Sequence, residues 1–195
     1  MFIAVLLLTA GVITAPQEAT PQQLFESGKF QEAIDKVKAS ADAPPEQIYL
    51  SALAHRKLNQ NDEAKQVFGK LAAKPDGPWR EIGNSGTALV DGDLDAAEAA
   101  AKKAVDVDGN LAEARFQLGL VALARNNQAQ AAESFAKAAE LNPQMAYAHY
   151  EAGMAFYKTK RVDRMAVYFE NFLKLAPNAP EKPAVQSIMR TVRGK

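Results

Sequence analysis

The stretch Ala112–Pro177, AEARFQLGLVALARNNQAQAAESFAKAAELNPQMAYAHYEAGMAFYKTKRVDRMAVYFENFLKLAP, repeats its own order of large and small side chains. Gly119 recurs as Gly153, Phe135 as Phe169 and Pro143 as Pro177, and Ala122 is matched by Phe156, each pair 34 residues apart. A fixed period of that size marks an array, in which each unit buries its apolar face only against its neighbours.

Leu118-Gly119, Ala131, Phe135 and Pro143 fall in order on the Leu-Gly, Ala, Phe and Pro sites of the tetratricopeptide repeat (TPR), which the stretch therefore resembles. Ala152-Gly153, Phe156, Phe169 and Pro177 match again, with Met165 where the pattern has its second-helix Ala and His149 where it has Trp. The resemblance implies an all-α fold, a TPR α-α superhelix or solenoid whose units are a helix, a turn and an antiparallel second helix. It also implies a kind of work: holding another protein or a peptide segment.

Working outward, the units fall at about 20–43, 44–77, 78–111, 112–145 and 146–179. Thr20-Pro21-Gln22-Gln23 reads as a helix start, with Thr20 as cap, Pro21 at the first helical position and Gln23 completing a capping box. Gly28 ends that helix early. Pro44-Pro45 and Lys74-Pro75-Asp76-Gly77-Pro78 break the chain between units. From Ala64 to Ala97 the interval is 33, one residue short. Residues 79–90 form the weakest helix by propensity, because Gly83, Asn84, Ser85 and Gly86 together cost about 2–3 kcal/mol relative to alanine. Ala97, Ala101 and Ala104 follow where second helices carry larger groups, so this unit reads as thin and soft, either a hinge or plain drift. Past Pro177, Val185, Ile188, Met189 and Val192 recur at i, i+3, i+4 and i+7, which predicts a C-terminal capping helix within 180–195.

Met1 to Ala15 carries no charged side chain and is densest in apolar groups at Phe2–Leu8. Fifteen residues are too few to cross a bilayer of about 30 Å as a helix. With small residues at Ala10 and Ala15 as cleavage points, residues 1–15 read as a signal peptide and 16–19 as a linker, although a basic start is missing. The expectation is a chain exported to the periplasm or beyond. An uncleaved membrane anchor and an apolar helix packed on the solenoid are the alternatives.

The 195 residues hold 23 basic and 23 acidic side chains, so nothing in the overall charge draws the chain to nucleic acid or an anionic membrane. The balance is uneven, however. Residues 76–113 carry nine acids against three bases, and residues 145–195 nine bases against four acids. Without cysteine there is no disulfide, thiol nucleophile or thiolate metal site.

No catalytic motif, phosphate-binding glycine loop or His-x-x-x-His pair is present, and the only histidines, His55 and His149, are far apart in sequence. Asp91-x-Asp93-x-Asp95 fails as a calcium loop, with Ala96 where glycine is needed and Lys102 where glutamate is needed. No cofactor, metal or small-molecule substrate is expected, and no enzyme activity. By the family resemblance, first helices line a concave groove, and on that register Tyr49, Trp79, Ile82, Phe116, Leu120, Tyr147, Tyr150, Met154 and Tyr157 face it, with Lys158 and Arg161 at the rim. Aromatic side chains there would anchor a partner or fill space between helices. The Lys and Asn pattern by which chaperone-binding members hold a C-terminal carboxylate is absent, since Tyr49, Leu53, Gly83, Glu113 and Gln117 stand at its sites. The function expected is a protein-interaction scaffold with an aromatic groove; the alternative is a structural or self-associating protein with a self-filled groove.

Overall fold

A computed structural model describes residues 18–192 and 194. Among these residues all regular structure is α-helical: α1 (Pro21–Glu26), α2 (Phe30–Lys38), α3 (Pro45–Lys57), α4 (Asn61–Ala72), α5 (Pro78–Asp91), α6 (Leu94–Val107), α7 (Ala112–Ala124), α8 (Gln128–Leu141), α9 (Ala146–Lys158), α10 (Val162–Leu175) and α11 (Lys182–Val192). No helix among the described residues is long and apolar enough to cross a membrane. The signal-peptide expectation, residues 1–15, lies outside the described residues.

Five antiparallel pairs, α1–α2 through α9–α10, stack in sequence, and α11 follows. Each pair turns through one left-handed residue: Gly28, Asn59, Gly92, Asn126 and Lys160, with φ from +58° to +79°. Glycine takes that conformation freely and asparagine with little penalty, whereas Lys160 carries a cost of about 1–2 kcal/mol. Thr20 caps α1 as its sequence requires: the Gln23 N–H donates to Thr20 Oγ1 at 3.2 Å, and the Thr20 N–H to Gln23 Oε1 at 2.9 Å.

Packing within the pairs explains the 34-residue pattern. The rings of Phe135 and Phe169, both fully buried, lie flat on Gly119 and Gly153, where a Cβ would come within 2.6 and 2.4 Å of them. In the α5–α6 pair Ser85 and Ala101 stand at the corresponding places, and without a ring the two helices close directly, the Ser85 hydroxyl donating to the Ala97 carbonyl at 2.8 Å. The glycines in α5 have a different partner. A Cβ on Gly86 would fall 2.2 Å from the Phe68 ring, and one on Gly83 would fall 2.2 Å from the Ala72 backbone nitrogen. The run Gly83–Gly86 is thus the place where α5 lies almost backbone to backbone against α4, which gives these low-propensity residues a packing reason that neither hinge nor drift supplies.

The curl of the stack is tight enough to bring its first pair against its last. Phe25 of α1, only 3% exposed, meets Tyr147 of α9 edge to face with ring centroids 5.0 Å apart. A Cβ on Gly28 would touch the Pro180 ring at 2.9 Å. At the end of α3, Lys57 pairs with Glu181 at 3.0 Å. A helix of six residues is too short to persist alone in water, so α1 exists because it is docked. The start of α11, ambiguous in sequence, falls at Lys182, one residue before Pro183. Its inner face is Val185, Ile188 and Met189, while Val192 is exposed.

Candidate partner-binding groove

The first helices of the pairs turn their inner faces toward one another across the curl. Tyr49, Leu53 and Arg56 on α3 look toward Glu113, Phe116 and Leu120 on α7 and toward Tyr147 and Glu151 on α9. Phe25 enters the middle of this space from α1. What remains open is a pair of cavities of about 250 and 280 Å³ that share Phe25, Leu53, Phe116 and Tyr147 as walls. Glu46 and Glu113 line the first, whereas Arg56, Lys57 and Glu151 line the second.

Desolvation governs the charges here. Burial raises the Glu113 carboxyl above its ordinary value, with Glu46 adding to the rise. The Glu151 carboxyl is likewise raised by burial, against the pull of Lys57. Burial also lowers the Arg56 guanidinium, against the pull of Tyr49 and Glu151, and it has no ion pair or hydrogen bond among the described residues. At the edge of this space Tyr147 donates to Glu181 Oε2 at 2.8 Å, and the Lys57 ammonium stands 4.5 Å over the Tyr147 ring. The Tyr147 phenol is accordingly held far above its usual value by burial and then by Glu181, and burial pushes Tyr150 up to about 12.

The eight residues expected at the site separate into three groups. Phe116 and Tyr147 wall the shared space, and Tyr150 packs on Tyr147 and Phe172 beside it. Tyr49 and Trp79 pack on each other, 6.3 Å apart, and the Tyr49 hydroxyl is committed to a buried chain: it donates to Gln117 Oε1 at 3.1 Å, and Gln117 Nε2 donates to Ser85 Oγ at 3.1 Å. This chain ties α3, α5 and α7 together, and it explains a fully buried glutamine on α7. At the far end of α9, Tyr157 is 39% exposed and Lys158 is exposed, whereas Arg161 turns to Glu133 on α8 at 2.6 Å and covers the Phe156 ring. Of the other inner-face residues, Leu120 and Met154 are half-buried and Ile82 is fully buried. Phe25, Arg56 and Glu151 were missed by sequence reading. The one available signal for Phe25 was a well-capped helix too short to stand alone.

Each histidine has a partner within the array. His55 Nδ1 lies 2.7 Å from Gln60 Oε1, and His149 Nε2 lies 3.1 Å from the Pro143 carbonyl, with the ring beside Tyr168. Burial lowers the His149 value, against the pull of the Pro143 carbonyl. Among the described residues no group of His, Asp and Glu could hold a metal ion.

Sequence profiles described as "Tetratricopeptide repeat" match residues 48–76, 87–146 and 116–180. No curated protein matches the chain. Among solved structures, TTC0263, a thermophilic TPR protein in Thermus thermophilus, superimposes with a TM-score of 0.62 at 20% identity, over 87% of this chain and 97% of its own. YrrB, described as a TPR protein with an unusual peptide-binding site, gives 0.50 at 18% identity over 90% and 89%. At that identity the likeness concerns the fold alone. Profile matches along most of the described array, with the Gly, Phe and Pro sites in place in the α7–α8 and α9–α10 pairs, show that the chain belongs to the tetratricopeptide repeat family.

Proposed function

We propose that the chain is a protein-interaction scaffold whose inner groove takes a short helical segment with an aromatic anchor, and that its own α1 occupies that groove in the free protein. One observation carries the reading: Phe25 already sits there as such an anchor, between Leu53, Phe116 and Tyr147, at the end of a six-residue helix. A partner segment would supply its own large apolar group in place of Phe25 and a carboxylate for Arg56, the unpaired cation of the groove. The peptide-binding site described for YrrB lends general support, since that protein shares the fold.

The test uses the full chain and the peptide Glu18–Phe30. Phe25→Ala should loosen α1, and the wild-type peptide should then bind the variant with micromolar affinity while the parent binds none. A peptide carrying the same Phe25→Ala change should fail. Calorimetric titration reads all three. If the peptide binds neither protein while Phe25→Ala lowers the melting temperature as a core substitution does, α1 is a permanent part of the core. The self-filled structural reading then stands, which the Gly28–Pro180 contact favours.

We also propose export, on the uncharged apolar run of residues 1–15. N-terminal sequencing of protein isolated from its source cells should find a mature start near Gly11 or Pro16. An intact Met1 on soluble cytoplasmic protein would contradict it.

A further inference from the structure

A second cleft lies apart from the groove. It lies on the other face of the stack, between α2 and α4 over the middle of α3, and measures about 550 Å³. Ile34, Val37, Ile48 and Val67 supply an apolar floor, and Lys38, Lys70 and Lys74 stand around it with Asp42 as the one acid. None of the three lysines has an ion pair among the described residues. Lys38 and Lys70 lie in or next to the last turns of α2 and α4, where ammonium groups offset the negative helix ends, but three cations against one carboxylate leave the cleft positive.

A surface of matching chemistry stands elsewhere on the same chain. At the end of α6, Val107 is 52% exposed, which is high for a large aliphatic group, and the exposed Asp106 and Asp108 flank it. Neither carboxylate has an ion pair among the described residues, and Asp108 only accepts the Asn110 N–H at 2.9 Å. Nearby Arg115 is turned to the Gly109 carbonyl, at 3.5 Å. In a stack of antiparallel pairs the turns between pairs share one rim, so the 39–44 turn, the end of α4 and the α6–α7 turn all open on the same side.

We propose that the cleft between α2 and α4 receives the Asp106-Val107-Asp108 tip of a second copy, so that the chain associates with itself through this rim. Val107 meets the apolar floor, and the two carboxylates meet Lys70 and Lys74. Because tip and cleft share a rim, two copies related by a two-fold axis can make the contact twice and close as a pair. The contact relies on charge and a single aliphatic anchor, so it is weak and salt-sensitive.

Sedimentation velocity of the full chain across the micromolar range tests this with two charge reversals. The parent should associate with rising concentration at low salt and dissociate at high salt. Lys70→Glu with Lys74→Glu should remain monomeric, and so should Asp106→Lys with Asp108→Lys; Asp106→Lys alone serves if the double change lowers the melting temperature. Mixing the two reversed proteins should restore association, because each cleft then meets a tip of opposite charge. A parent that stays monomeric, association that survives both reversals, or a mixture that does not recover would each overturn the proposal. Capture of an acidic peptide from another protein by a monomeric parent would assign the cleft to a different partner.

Discussion

Phe169→Ala is expected to destabilise the chain by about 3–5 kcal/mol, read as a shift of the urea midpoint at unchanged slope. The ring is fully buried and rests on Gly153 with no room for a methyl group between them. Removing it leaves a void between α9 and α10 that rigid helices close only in part. The effect should reach beyond this pair, since Tyr147, which holds Phe25, sits on α9 as well. Loss of less than about 1 kcal/mol would mean that the ring does not fill this seam.

Gly83→Ala should be the most damaging single methyl addition. The new Cβ would lie 2.2 Å from the Ala72 nitrogen and 2.7 Å from the Leu71 carbonyl carbon and the Phe68 carbonyl oxygen, all of them backbone atoms that cannot rotate away. Helix propensity alone would favour alanine by about 1 kcal/mol. Overpacking against a fixed backbone costs about 3 kcal/mol, so a net loss of about 2 kcal/mol follows. Gly69 is the internal control, because nothing lies within 4 Å of a Cβ there, on the exposed side of α4. Gly69→Ala should therefore raise stability by up to about 1 kcal/mol. A destabilised Gly83→Ala beside a stabilised Gly69→Ala, measured by chemical denaturation, separates close packing from propensity.

These contrasts mark which features the residues themselves carried. The helix pairs, their turns and the seam positions are local and periodic: Gly153 and Phe169 meet because their spacing sets them across one turn. The capping box at Thr20 was legible for the same reason, as was the short reach of α1 ended by Gly28. The curl was not legible. Whether Phe25 reaches Tyr147 depends on small rotations added up from pair to pair, and no single residue encodes that sum. Tyr49 lines the first cavity, and its hydroxyl is also tied to Gln117 and Ser85, a link between helices two pairs apart that no local pattern announces. Gly83 and Gly86 read as a weakness because propensity describes a helix alone, whereas their contribution lies in how closely α4 approaches. Arg56 and Glu151 carry no pattern in the sequence, and only the closed stack leaves them half-buried.

Closure of the array onto its own first helix is the central claim, and the contact between Phe25 and Tyr147 tests it most directly. In the full chain, the two rings with centroids 5.0 Å apart should give nuclear Overhauser cross-peaks between their ring protons, with Phe25 shifted by the Tyr147 ring current. Absence of those cross-peaks, with Phe25 ring shifts equal to those of the free peptide Glu18–Phe30, would contradict it.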